Sequence, residues 1–293
     1  MNTHSVSWSS GLTRRSFLTT AAASAAALTL APAWAPAAAG GWRPRLSTSS
    51  ILFQNLPIEQ ACAQIAALGF EAVDIWCAYD KCPHLDDVAK RLGPAGLKAL
   101  LAKHQLKLCG FSTYVGGYAQ YAELLGQAGG GVAIQGCAGP CPPEELRPKM
   151  QSFLESLKPL VALAEKHNSY LAIENHGQSL LDSLDSFKAF VELNASPRVG
   201  IALAPYHVQA RKDSVEEAIA IIGPQLFFFY AWQRQPGLGQ LPGHGPTDFK
   251  PWLQALAKVN YQRYVNPFMH GQVEANVVAS ALAKSRDYLK QLL

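Results

Sequence analysis

The chain has 293 residues, 49% of them hydrophobic and 16% charged, which excludes a disordered polyelectrolyte and leaves length for a large buried core. Its 25 Lys and Arg against 21 Asp and Glu give a formal net charge of +4. No Lys/Arg cluster stands out, which argues against nucleic acid or an anionic membrane surface as partner.

The chain opens on a targeting pattern. Thr13-Arg14-Arg15-Ser16-Phe17-Leu18 is a twin-arginine segment, followed from Thr19 to Leu30 by an Ala-rich run of about twelve residues. That run is short of the roughly 20 a spanning helix needs. Ala-x-Ala cleavage sites follow at Ala33–Ala35 and Ala37–Ala39. Residues 1–39 therefore read as a Tat-type signal peptide, removed on export, with 40–293 as a single domain in the periplasm or otherwise exported. Loss of Arg14 and Arg15 lowers the charge from +4 to +2. No later segment is long and apolar enough to span a bilayer, so no stable membrane span is expected after cleavage.

An oxidising compartment gives meaning to the six cysteines. Cys77/Cys82 and Cys137/Cys141 fall in loops at short spacing, which predicts two local disulfides. Zinc binding by the same four is the alternative, although neither pair has CxxC spacing. Cys62 and Cys109 read as small buried hydrophobes.

From residue 46 onward, apolar runs alternate with helical periodicity. Strands are predicted at Leu46–Phe53, Ala72–Ala78, Leu106–Ser112, Val132–Gly136, Tyr170–Asn175, Val199–Leu203, Leu226–Trp232 and Tyr264–Phe268. Helices are predicted at Ile58–Leu68, Asp86–His104, Tyr118–Gln127, Glu144–His167, Leu181–Leu193, Val215–Ile222, Phe249–Val259 and Glu274–Leu292. Asp86 and Thr247 are candidate helix caps. Eight strand–helix units predict an α/β fold, a (β/α)8 TIM barrel. An open doubly wound sheet competes, but no GxGxxG turn follows the first strand. The Gly/Pro-rich stretch Leu238–Gly245 forms a long loop after strand seven.

Barrel chemistry sits at the C-terminal strand ends. Half of the eight histidines fall there: His176, His207, His244 and His270. Glu174 lies near the end of an otherwise apolar strand, with His176 two residues on and sharing its facing. A carboxylate at that mouth can bind a divalent metal or remove a proton next to a carbonyl. Trp76, Tyr114, Tyr206, Tyr230 and Trp232, also at or near strand ends, offer flat rings to the C–H faces of a sugar; for Tyr230 core packing is the favoured alternative. Gln135, Asn175, Gln233 and Asn266 can hydrogen-bond hydroxyls. No glycine-rich phosphate nest appears, and Arg234 is the one basic residue beside strand seven, which points to an unphosphorylated ligand.

Glu174-Asn175-His176-Gly177, Ala204-Pro205-Tyr206-His207 and Gly243-His244-Gly245-Pro246-Thr247-Asp248-Phe249, in this order and spacing, make the chain resemble the sugar phosphate isomerase/epimerase family of xylose-isomerase-like TIM barrels. The resemblance covers all eight units. It implies one divalent metal held by Glu, Asp, His and Glu on strands five to eight, and sugar interconversion by proton transfer through an enediol. Glu174 matches the first ligand and His207 the substrate-contacting histidine. Ala204 and Asn266 stand where carboxylates are usual, and strand seven ends Phe229-Tyr230-Ala231-Trp232-Gln233 in place of a His ligand.

Two expectations follow. Glu174, His176, His207 and His270 either form a relocated site for Zn, Fe, Ni or Mn, or act as acid–base groups without metal. The expected function is an exported isomerase/epimerase-like enzyme for an unphosphorylated sugar or sugar derivative, with proton abstraction by Glu174 next to a carbonyl. Trp76, Gln135, Asn175, Tyr206, Trp232, Gln233, His244 and Asn266 would bind the carbohydrate. The alternatives are a lyase on an oxidised sugar and a barrel that only binds carbohydrate.

Overall fold

The structure is a computed structural model that describes residues 41–292. The predicted leader lies outside the described residues.

Eight parallel strands close into a barrel in chain order: β1 (Arg45–Ser49), β2 (Ala72–Trp76), β3 (Lys107–Ser112), β4 (Val132–Gln135), β5 (Tyr170–Glu174), β6 (Val199–Leu203), β7 (Leu226–Ala231) and β8 (Tyr264–Pro267). Closure comes from β1, which pairs with β2 on one side and with β8 on the other. The crossovers carry α1 (Ile58–Ala67), α2 (His84–Asp87), α3 (Gly93–Lys103), α4 (Gly117–Gln127), α5 (Leu146–Ser156) and α6 (Lys158–Lys166). They continue with α7 (Leu184–Leu193), α8 (Pro205–Arg211), α9 (Val215–Ile222), α10 (Lys250–Lys258) and the closing α11 (Ala275–Gln291).

Period two sorts the buried side chains into two apolar clusters. Leu171, Ile173, Ile201, Leu203, Phe229 and Val265 pack outward beneath the helices. Ala72, Trp76, Ala172, Ala202, Tyr230 and Phe268 fill the barrel interior. Two bulges adjust that alternation. The β2–β3 register shifts between Val73 and Asp74, and the β6–β7 register between Ile201 and Ala202. A bulge re-aims the residues beyond it, and these two turn Ser112 and the Phe228–Tyr230–Trp232 series inward. Gly110 fits beside the first because a Cβ there would meet the Val132 carbonyl oxygen at 2.5 Å.

The helices differ from expectation where backbone chemistry intervenes. The helix predicted at 86–104 is broken by a π turn over 88–92 and by Gly93 at φ +62°. The one predicted at 144–167 breaks at Leu157, just ahead of Pro159, which cannot donate an amide hydrogen bond. Helix α8 starts on Pro205, a first-turn proline that tolerates a missing N–H. Asp86 accepts from the Tyr121 hydroxyl at 2.5 Å and caps no helix. Thr247 is not the cap of α10 either, since the Lys250 amide donates to Asp248.

The cysteine expectation is corrected: all six are free. Cys77 packs in the outer cluster and Cys82 in the interior one. Cys77 Sγ accepts from the Val115 amide at 3.2 Å, while Cys82 Sγ faces His84 Nδ1 at 3.4 Å. Cys137 and Cys141 line different cavities. Among the described residues no helix is long and apolar enough to cross a membrane.

Candidate active site

Glu174 is the last residue of β5 and points inward at the mouth, in step with Ala172 below it. It forms one side of a cavity of about 320 Å³ whose other walls include Trp76, Tyr79, Tyr114, His176 and His270, with residues 136–139 after β4. That volume suits a small molecule. No Lys or Arg is among the lining residues.

Aromatic rings brace one another around this space. Trp76 stacks on Phe268 with centroids 5.2 Å apart and planes within 12°. Tyr114 leans on Trp76 at 5.1 Å, and Tyr79 closes on both. Beyond them Trp232 stacks on Tyr206 at 4.4 Å and meets His270 edge-on at 5.0 Å. Offset and edge-to-face packing of this kind fixes ring orientation.

Two carboxyls are buried in the barrel. Burial pushes Glu174 up to about 7, with a hydrogen bond from Tyr114 opposing and the charge of Asp74 adding to the rise. Burial also lifts Asp74 to about 7, against hydrogen bonds from Ser49, Ser112 and Trp76. Asp74 Oδ2 accepts from Trp76 Nε1 at 2.5 Å and from the Ser49 and Ser112 hydroxyls, each at 2.9 Å. Burial drives His207 down to about 3, helped by His176 and His270, and its buried Nε2 has no partner. Desolvation likewise lowers His270.

The relocated metal set does not form. Among the described residues, no group of three or more His, Cys, Asp or Glu is arranged to hold a metal ion. The physical reason is packing. His207 sits among Tyr206 and Trp232, with the His176 ring tilted against it at 4.1 Å. His270 is wedged among Trp76, Trp232 and Phe268. With Ala204 and Asn266 at two positions where the family resemblance expects carboxylates, the donor set does not fit a divalent metal, and the zinc alternative for the loop cysteines fails on the same ground.

Of the predicted site residues, Glu174, His176, His270 and Trp76 line one cavity. His207, Tyr206 and Trp232 form a packed group beside it. Five others are committed to the protein itself. Asn175 Oδ1 accepts from the Ala204 amide at 2.6 Å and its Nδ2 donates to the Ala204 carbonyl. Gln233 Nε2 donates to the Leu241 carbonyl, and its Oε1 accepts from the Thr247 amide. The His244 Nε2 lies 3.0 Å from the Ala281 carbonyl on α11, away from the mouth. Asn266 bonds Ser47 and Ser49 inside the barrel. Gln135 turns to the Tyr118 amide.

Sequence reasoning missed Asp74, Tyr79 and Gln240. A lone acid in Ala72-Val73-Asp74-Ile75-Trp76 carries the same signal as Glu174. Nothing in the sequence announces Tyr79, which rides a turn with positive φ at Asp80 and Lys81.

The family model described as xylose isomerase-like TIM barrel matches residues 62–288. No curated protein matches the sequence. Among solved structures, 3-keto-D-glucoside 4-epimerase from E. coli is 17% identical, with a TM-score of 0.65 over 84% of this chain and 100% of that one. The probable 3-DHS dehydratase AsbF from Bacillus anthracis is 13% identical, with a TM-score of 0.66 over 83% and 98%. The IolI protein, solved with a bound zinc atom, is 16% identical, with a TM-score of 0.65 over 85% and 99%. At these identities the likeness is one of fold. By the family model, which spans most of the barrel, the chain belongs to the xylose isomerase-like TIM barrel family.

Proposed function

We propose that the barrel is an exported enzyme that binds an unphosphorylated sugar or sugar derivative bearing a carbonyl, and that Glu174 removes the proton next to that carbonyl. The observation that carries this reading is one buried carboxyl in a cavity of about 320 Å³ walled by aromatic rings. Flat rings complement the C–H faces of a sugar, and the lack of a lining cation disfavours a phosphate group. A carboxyl held near 7 is a stronger base than an ordinary glutamate and is still ionised in part at neutral pH.

In the reaction, Glu174 takes the proton, and the electron pair moves onto the carbonyl oxygen to give an enediol or enediolate. The Tyr114 phenol lines the same cavity and can donate to that oxygen. Epimerisation needs an acid on the other face of the carbon, a role open to His176 or His270 of the same cavity, whereas elimination expels a neighbouring hydroxyl as water with the proton taken up by Glu174. A single lining carboxylate favours elimination as the second reading, because one base next to a carbonyl suffices for it.

The test is solvent deuterium incorporation into 3-keto-D-glucosides and free ketohexoses, followed by proton NMR. Exchange by the wild type and none by Glu174→Gln supports the reading. Saturable sugar binding with no exchange or product moves the carbohydrate-binding barrel to first place.

A further inference from the structure

A second cavity, of about 370 Å³, adjoins the one that holds Glu174. Both run between the same two loops, the one after β4 and the one after β5. Residues 136–139 line the first cavity and Pro140, Cys141 and Pro143 the second, so the β4 loop passes from one to the other without a break. The β5 loop does the same: Gln178 lines the first, Leu180 and Asp182 the second, and Ser179 lines both. The Leu180 amide donates to the Ala138 carbonyl at 2.8 Å and ties the two loops together at this boundary.

Ser179 is suited to a ligand that crosses the boundary. Its Oγ accepts from the Leu181 amide at 3.2 Å, which leaves the hydroxyl hydrogen to donate. Each cavity taken alone is near the lower end of the roughly 300–1,000 Å³ range of small-molecule sites. Together they have room for two linked rings, one in each.

Charge defines what the second cavity takes. Its charged lining residues are Asp182, Asp185 and Arg211. Arg211 Nη1 lies 3.3 Å from Asp182 Oδ1, and its Nε donates to Asp213 Oδ2 at 3.3 Å. Asp182 Oδ2 accepts from the Gln178 amide at 3.1 Å, and Asp185 pairs with Lys188 on α7. An anionic unit would meet two carboxylates and a guanidinium already paired twice. A neutral unit rich in hydroxyls suits the same groups, since carboxylate oxygens accept from hydroxyls and the remaining guanidinium N–H groups donate to them. Pro140, Leu146 and Leu180 add apolar surface for its C–H groups. Among the described residues no aromatic ring lines this cavity, in contrast to the first.

We propose that the second cavity is a subsite for a neutral second sugar unit, so that the substrate is a glycoside of at least two sugar residues and not a free monosaccharide. Placement of the reacting unit against Glu174 rests on the function proposed above. The aromatic cavity orients that unit, and the polar cavity adds affinity and selects for length.

Two half-buried cysteines report occupancy, because Cys137 lines the first cavity and Cys141 the second. The first test is alkylation of Cys141 by iodoacetamide in Glu174→Gln, read by peptide mass mapping. Either 3-ketocellobiose or 3-ketomaltose should slow the reaction of Cys141, whereas saturating methyl 3-keto-D-glucoside should not. An unchanged rate at Cys141 with both disaccharides overturns the subsite.

The second test is kinetic, by solvent deuterium exchange in the wild type. For at least one of the two disaccharides, kcat/KM should exceed that for methyl 3-keto-D-glucoside by about tenfold, what one good hydrogen bond contributes. Cys141→Trp fills the second cavity and should erase this preference while leaving the methyl glucoside rate unchanged. Arg211→Ala removes the one guanidinium of the subsite, should reduce the preference, and serves if the Trp variant does not fold. Equal kcat/KM for all three substrates in the wild type overturns the proposal, as does a Cys141→Trp effect of equal size on short and long substrates. Exchange without a preference for length would leave the proposed function and sink the subsite. Protection of Cys141 without exchange would do the reverse.

Discussion

Gln240 grips the backbone of His270 at two points: its Oε1 accepts from the His270 amide at 3.1 Å and its Nε2 donates to the His270 carbonyl at 2.8 Å. The same Oε1 accepts from Trp232 Nε1 at 2.7 Å. One buried side chain from the long loop after β7 thus sets both an aromatic wall and a histidine of the cavity. Gln240→Ala should cost about 1–3 kcal/mol of stability, since it leaves buried groups without partners, and should raise KM for sugar. Chemical denaturation and steady-state kinetics check the two effects. Unchanged stability would mean that water replaces the side chain.

Glu174 should make stability fall as pH rises. Its carboxyl is lifted from 4.5 to about 7, so the neutral form is the one favoured by folding. This contribution is fully present below about 4.5 and is lost as pH climbs through about 7. Glu174→Gln carries no such penalty and should melt above the wild type at pH 8, with the difference closing at pH 5. His207, driven down to about 3, acts in the opposite direction at acid pH but is common to both proteins. Melting curves at the two pH values test the sign.

Tyr79 stands 38% exposed at the cavity rim and packs against Trp76 and Tyr114. Tyr79→Ala should weaken binding of a neutral sugar by about 0.5–1.5 kcal/mol, the worth of one aromatic contact. Thermal stability should stay close to wild type because the ring covers little core. Calorimetric titration beside a melting curve separates the two.

The barrel was legible in the sequence because parallel strands buried on both faces read as apolar runs, and all eight appear where those runs lie. Glu174 was legible for the converse reason, as one acid in an apolar strand. The facing of Tyr230 was not. The run from Leu226 to Trp232 is apolar throughout, and a bulge near Phe227 shifts its alternation. The hydrogen-bond duties of Asn175, Gln233 and Asn266 depend on backbone from distant elements, which local patterns do not reveal. Asp74 was overlooked although its signal was as strong as that of Glu174.

The proposed export rests on Arg14 and Arg15 ahead of the Ala-rich run. Replacing both by Lys should leave full-length precursor in the cytoplasm, as fractionation and immunoblotting would reveal. Efficient export of the double variant would remove the twin-arginine route.

The central claim is that Glu174 moves a proton at a sugar carbon without a metal. Its most direct test is solvent deuterium exchange into a 3-keto-D-glucoside, with wild type and Glu174→Gln compared in the presence of a strong chelator, from pH 5 to 8. The account predicts exchange that survives chelation, rises with pH through about 7 as Glu174 ionises, and is lost in Glu174→Gln while sugar binding persists. Exchange retained in Glu174→Gln, or abolished by the chelator and restored by a divalent metal, would contradict it.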